Sequence, residues 1–307
     1  MTDPGQQVRE RWYTRVMNLY RYSNIFLPGF NLLTRNLLKI RAERDYRRVQ
    51  HSGKQHQQDI QSWLSAQQIF FGHAVPRSGT TFIANLLNCG ARQASVMHEA
   101  NINDYWYYTK AIHSPDEAYA YIKEYRLQEI YFRLQGESFT TYGEINPFLR
   151  RHCAAISLAL PAVRQFHIVR DPHDVIRSLM SRELLGRKDP MAKRVRPPVE
   201  DPYADRWESM KRFEKLCWLW AADNRFIRTH VGQNVRFENL LSDFDYFSSK
   251  VLDFTGLTMD QRDWSASVKG INNATPHYNF PAYNDWGGDE KRSFETICGE
   301  EMAVYGY

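Results

Sequence analysis

The chemistry in this chain concentrates in Phe70-Phe71-Gly72-His73-Ala74-Val75-Pro76-Arg77-Ser78-Gly79-Thr80-Thr81-Phe82. An apolar, strand-like run ends in a turn of Pro, Arg, Ser and Gly. Phe82, Ile83, Leu86 and Leu87 then follow at helical spacing. A loop wrapped onto a helix N-terminus is an anion site, because unpaired backbone N–H groups and the positive end of the helix dipole converge there. The nucleotide-kinase loop G-x-x-x-x-G-K-[ST] needs Lys after its second Gly. Here Thr80 stands in that place, and the cation is Arg77, two residues before Gly79.

A second anion-binding pattern lies about ninety residues later, in Phe166-His167-Ile168-Val169-Arg170-Asp171-Pro172-His173-Asp174-Val175-Ile176-Arg177-Ser178. Arg170 leaves the C-terminal end of an apolar strand, where ligands bind in open α/β sheets. Pro172 suits the first turn of a helix, and Ser178 falls about two turns into it. A guanidinium and a hydroxyl so placed can hold a phosphate. The competing reading pairs Arg170 with Asp171 or Asp174.

Pro76-Arg77-Ser78-Gly79-Thr80-Thr81 resembles the 5′-phosphosulfate loop of sulfotransferases, which take a sulfuryl group from 3′-phosphoadenosine 5′-phosphosulfate (PAPS) and release the bisphosphate PAP. Arg170-Asp171-Pro172-His173-Asp174-Val175-Ile176-Arg177-Ser178 resembles the 3′-phosphate motif of the same family. Arg236-Phe237-Glu238-Asn239-Leu240-Leu241 and Val251-Leu252-Asp253-Phe254-Thr255-Gly256-Leu257 resemble a later strand end and helix, in structural roles, with Glu238 expected beside an Arg. The resemblance spans residues 68–307. It implies a P-loop-NTPase-like fold and a metal-independent donor site. Arg77, Ser78, Gly79, Thr80, Thr81 and Phe82 would take the 5′-phosphosulfate, and Arg170 and Ser178 the 3′-phosphate. Arg77 stands where many relatives carry Lys, and arginine keeps its charge but is a poor proton donor. Pure charge stabilisation is therefore its expected catalytic part.

A base must receive the acceptor's proton. Met97-His98-Glu99-Ala100 follows the loop helix, where the next strand should return to the sheet's C-terminal edge. Some relatives use Glu in this region, so the resemblance points to Glu99. His98, with an ordinary pKa near 6.5, is the other option. Ordinary polar residues at a strand end remain the plain alternative. Tyr142-Gly143-Glu144-Ile145-Asn146-Pro147 resembles a family segment G-E-K-x-P in which Ile145 replaces Lys, leaving Glu144 and Asn146 as expected substrate contacts. The family's Arg-Lys-Gly nucleotide motif is missing. In its region, Trp286 is expected on adenine or substrate, and Lys291 or Arg292 on phosphate.

Strand-like segments at 69–74, 142–145, 165–169 and 235–237 position these groups. They alternate with helix-like segments at 80–88, 148–160, 173–184, 207–230 and 239–254. Such alternation predicts α/β architecture, a parallel β-sheet flanked by helices on both faces. Met210, Phe213, Cys217, Trp220 and Ile227 form a helical stripe expected in the core. The Pro-rich segment 182–206 is expected as a substrate-facing lid.

The chain has 307 residues, 24% of them charged and 43% hydrophobic, with a net charge of +5. That suits a globular protein with an anionic ligand and carries no nucleic-acid signature. Residues 1–67 read as a basic, amphipathic helical extension before a sulfotransferase domain at 68–307. Between Arg9 and Arg48 stand ten Lys or Arg against three Asp or Glu. Pro28-Gly29 is expected to divide two helices there. The extension could touch an acidic membrane surface peripherally or simply pack on a core.

Cys89, Cys153, Cys217 and Cys298 are dispersed with no C-x-x-C pair, which fits core packing in a reducing cytoplasm. No apolar stretch is long enough to span a membrane, and the first residues lack a signal core, so a soluble chain is expected. The acceptor is expected to be a hydroxyl of a glycan or glycolipid, with a small hydroxylated metabolite as the alternative. A P-loop kinase fits poorly, since it has no use for a 3′-phosphate site, and a non-catalytic nucleotide-binding protein is a third reading.

Overall fold

The computed structural model describes residues 28–90, 94–137, 139–187, 189, 192–270 and 278–307. The expected first helix before Pro28 and the side chain of Cys89 lie outside the described residues. The chain forms two compact units. One holds the described residues up to Trp63 together with 124–137; the other holds 64–123 and the described residues from Phe139 onward.

In the smaller unit, helix α1 (Pro28–Gln55) begins at the proline that the sequence marks as a divider, a residue suited to a first helical turn. Helix α2 (Gln57–Ala66) follows it, with its residues from Leu64 counted in the larger unit.

The larger unit is built on five parallel strands. In chain order come β1 (Gln68–Ala74), α3 (Thr80–Gly90), β2 (Ala94–His98), α4 (Ile102–Ala111) and α5 (Pro115–Tyr121). Helix α6 (Leu127–Leu134) belongs to the smaller unit. Then follow β3 (Thr141–Ile145), α7 (Cys153–Ala159), β4 (Arg164–Val169), α8 (Pro172–Met180), α9 (Arg212–His230) and β5 (Gln233–Arg236). The last helices are α10 (Phe237–Ser242), α11 (Phe244–Phe247), α12 (Asp253–Thr255), α13 (Gln261–Lys269) and α14 (Gly288–Tyr305). The sheet order is β2-β3-β1-β4-β5. From β1 the chain crosses to one side, and from β3 it crosses to the other. The loops after β1 and β4 therefore flank the switch point where such sheets bind ligands.

The two faces of the sheet differ in chemistry. Phe70, Ala74, Ile145, Phe166, Ile168 and Val235 pack against Ile83, Leu86, Leu87, Leu240 and Phe247 in an apolar layer. On the other side, Val169, Val175, Leu179, Phe213, Leu216, Trp220 and Phe294 form a second core. That side also buries His73, Gln165 and His167. The expected α9 stripe of Met210, Phe213, Cys217, Trp220 and Ile227 is buried throughout. Cys153, Cys217 and Cys298 are buried free thiols.

Several expected element boundaries shift, each for a visible reason. The expected helix at 148–160 is broken into a 3-10 turn (Pro147–Leu149) and α7. Between them Arg150 and Arg151 turn inward to the buried Asp223, and Arg150 also donates to Pro147 O. The expected helix at 239–254 is interrupted at Asp243, whose side chain accepts from Tyr246 N at 3.0 Å and starts a new helix. Helix α8 ends at Met180 rather than 184, where Arg212 gathers the carbonyls of Leu179, Met180, Arg182 and Leu184. Phe237 opens α10 instead of closing β5. The segment expected as a lid is partly core, with Leu185 and Val195 buried.

Candidate active site

The β1 loop is shaped by two residues with positive φ, Arg77 at 77° and Gly79 at 84°. Left-handed residues curl backbone N–H groups into a concave anion nest. Gly79 is required twice over. Its φ disfavours any Cβ, and a Cβ there would stand 2.0 Å from the Phe237 ring. Ser78 N closes the turn on Val75 O at 3.2 Å, and α3 begins at Thr80. The Ser78 Oγ is buried with no hydrogen-bond partner among the described residues. A buried, unsatisfied hydroxyl in a concave loop fits a ligand oxygen, since leaving it unpaired is costly. The Phe82 ring, half-buried, packs edge-on to Phe237 at 6.4 Å.

The β4 turn joins this loop directly. Asp171 caps α8 by accepting from His173 N at 2.8 Å, with Pro172 in the first turn. Burial alone would raise the Asp171 pKa, but hydrogen bonds from His173 bring it below its ordinary value. Arg170 Nη1 donates to Arg77 O at 3.2 Å, and Arg77 Nε donates to Ser178 Oγ at 2.9 Å. Arg170 Nη2 also donates to Asp174 at 2.8 Å, so the ion pair weighed against a phosphate role is present alongside the shared contact.

Arg77 is pulled below the ordinary arginine pKa by burial first, then by repulsion from Arg182 and Arg170. Clustered guanidiniums of this kind favour a polyanion. Arg182 was not legible as a site residue. It lies just beyond the end of α8, two residues after Met180, so no helical spacing ties it to Ser178. Tyr278 is likewise new, and its ring lies 4.2 Å from the Arg177 guanidinium.

The end of β2 reaches the same loop. His98 Nε2 lies 3.0 Å from Thr80 Oγ1, 3.3 Å from Thr81 Oγ1 and 3.7 Å from Glu99 Oε1. Glu99 has a φ of 48°, unusual for a residue other than Gly. Strain of this kind gathers at functional sites.

Other expected site residues sit elsewhere. Glu144 and Asn146 are 0% and 1% exposed. Asn146 Nδ2 donates to Glu144 at 2.7 Å and Asp104 at 2.8 Å, while Tyr142 and Tyr121 hydroxyls donate to the same two carboxylates at 2.9 and 2.7 Å. They build a buried network rather than an open contact surface. Trp286 is 4% exposed, packed among Phe213, Phe280, Tyr283 and Phe294, and its N–H donates to Pro281 O. That ring offers no open face to adenine. Lys291 is bonded to Asn284 O and Arg292 to Asp289. Glu238 accepts from Asp171 N at 2.9 Å and from the Tyr307 hydroxyl at 2.8 Å, in place of the arginine expected for it. No group of three or more metal-ligating side chains occurs among the described residues.

Residues 70–261 match the model of a family described as the sulfotransferase family. No curated protein sequence matches the chain. Among solved structures, the chain is similar to sulfotransferase STF9 from Mycobacterium avium, with 14% identity and a TM-score of 0.51 over 94% of this chain and 89% of that one. It is also similar to sulfotransferase STF1 from Mycobacterium tuberculosis H37Rv, with 14% identity and a TM-score of 0.50 over 94% and 92%. At such identity these structures show the shared fold. Since the family model spans more than half of the chain, including the β1 loop and the β4 turn, the chain belongs to the sulfotransferase family.

Proposed function

We propose that this protein transfers the sulfuryl group of PAPS to a hydroxyl of an acceptor, with a glycan or glycolipid favoured, in the cytoplasm. The observation that carries the reading is the joining of two motifs ninety residues apart. Arg77 touches Ser178, and Arg170 touches the Arg77 carbonyl, at the switch point of the sheet. A nucleotide with phosphates at both 5′ and 3′ positions needs two anion sites side by side.

PAPS, when bound, supplies the activated sulfuryl group and a phosphate leaving group. The β1 loop would hold the 5′-phosphosulfate through its N–H groups, Ser78, Thr80 and Thr81, and Arg170 with Ser178 would hold the 3′-phosphate. Arg77 stays cationic and stabilises charge at the leaving phosphate. Glu99 is assigned as the base. His98, engaged with the loop threonines, sets the position of Glu99 relative to the donor loop. If so, Glu99→Gln lowers turnover at least 100-fold. Unchanged turnover in Glu99→Gln and His98→Gln, singly and together, rejects that assignment.

On α1, Arg44, Arg47 and Arg48 are exposed. They support peripheral contact with an anionic membrane surface and thereby a glycolipid acceptor. Failure to sediment with anionic vesicles at low salt removes this part.

The test of the donor is a thermal-shift comparison of PAP, ADP and ATP, with and without Mg²⁺. Saturating PAP at 100 times its dissociation constant should add about 2.7 kcal/mol without metal. Preference for ATP with Mg²⁺ would overturn the sulfotransferase reading in favour of a kinase.

A further inference from the structure

The final residues of the chain are connected to the 3′-phosphate turn through one carboxylate. Helix α14 is fixed to α9 by Glu301, which takes both Arg228 Nε and Nη2 at 2.9 and 3.0 Å. It ends at Gly306, whose φ of 71° reverses the chain. Tyr307 is thereby carried back toward β4 and β5. Its ring lies 4.3 Å from the Arg236 guanidinium, and Arg236 Nη1 donates to Gly306 O at 3.3 Å. The Tyr307 hydroxyl donates to Glu238 Oε2 at 2.8 Å and stands 3.4 Å from Val169 O, the last carbonyl of β4.

The other oxygen of Glu238 holds the backbone N–H of Asp171 at 2.9 Å. Asp171 immediately follows Arg170 and caps the helix that carries Ser178. Both residues assigned to the 3′-phosphate are therefore set by a turn whose backbone is gripped from behind by Glu238. Glu238 alone could rotate about its side-chain bonds. A second hydrogen bond, from a phenol held by the end of α14, fixes it. Burial, with Glu238 adding to it, raises the Tyr307 pKa, so the hydroxyl keeps its proton and remains a donor.

We infer that Tyr307 and Glu238 are positioning residues for the 3′-phosphate site: Tyr307 orients Glu238, Glu238 fixes the Asp171 amide, and the fixed turn aims Arg170 and the cap of the Ser178 helix. Neither residue touches the nucleotide. This rests on the PAPS reading above and deepens it, because it makes Tyr307, just after α14, a determinant of selectivity for a 3′-phosphorylated donor.

The experiment is isothermal titration of the full chain with two probes, PAP and adenosine 5′-phosphosulfate, which lacks the 3′-phosphate. Tyr307→Phe removes only the hydroxyl. It should weaken PAP about 10-fold, as loss of a charge-assisted hydrogen bond predicts, and leave adenosine 5′-phosphosulfate within twofold. Glu238→Gln, which keeps shape and one acceptor, should move PAP in the same direction and serves if Tyr307→Phe does not fold. PAP affinity unchanged in both variants overturns the inference. Equal weakening of both probes also overturns it, because a general loosening of the fold does not discriminate between them. If the wild-type chain binds no PAP, the donor reading itself fails, a result separate from either of these.

Discussion

The C-terminal edge of the sheet and the polar layer buried just beneath it use the same residue types to opposite ends. At the edge, Ser78 Oγ has no partner among the described residues, and Arg77 is repelled by Arg182 and Arg170. Beneath it, Glu144 and Asp104 are bridged by Asn146 and capped by tyrosines, and Asp223 takes Arg150, Arg151 and the Tyr108 hydroxyl together. Polar groups left unpaired or repelled leave room for a ligand oxygen, as the proposed donor site requires; polar groups that satisfy one another hold the strand ends in place. The second kind can resemble the first in sequence, as Glu144 and Asn146 do.

The sharpest break in this comparison is Asp223→Ala. Burial alone would raise the Asp223 pKa, but Arg150 and Arg151 overcome that and keep it ionised. Removing it strands two buried guanidiniums, which should cost about 4 kcal/mol of stability in urea denaturation. A loss below about 1 kcal/mol would mean the buried layer is not structural.

Acid should erode the same layer. Burial lowers both His73 and His167 from 6.5 to about 4. The unfolded chain therefore binds these protons first. The stability is complete above pH 6.5 and is lost as pH falls from there toward 4, by about 2 kcal/mol per histidine at pH 5. Denaturant midpoints at pH 7, 6 and 5 should show this slope, and His73→Gln with His167→Gln should flatten it. An unchanged slope in the double variant would place the acid sensitivity elsewhere.

Arg170→Ala probes the edge and has the smallest effect on the fold. Its partner Asp174 is exposed, so stability without ligand should change by less than about 0.5 kcal/mol. PAP affinity should nevertheless fall roughly 10- to 100-fold, as loss of a charged hydrogen bond predicts. A large loss of stability with little change in PAP affinity would reverse the comparison at this residue.

Much of the edge was legible because its residues are contiguous. The β1 loop, the β4 turn and the β2 end each announce themselves as strand, turn and helix within a dozen residues. Trp286 was misleading because an aromatic residue beside Gly and charged residues reads the same whether its ring meets adenine or Phe213 and Phe294. Arg182 and Tyr278 were not legible because each acts at Arg77 from a distant part of the chain.

Local chemistry was enough to determine the parallel α/β class and the strand-turn-helix form of the segments around Pro76–Thr81 and Arg170–Ser178, because strand periodicity, turn residues and helix caps act over a few residues. Tertiary structure alone decided which polar residues are open and which are satisfied. Whether a carboxylate is a base, a brace or a buried bridge depends on what distant strands and helices place against it. Glu99, Glu238 and Glu144 are alike as residues, but they stand respectively at a strained strand end, behind the Asp171 amide and under an asparagine clamp.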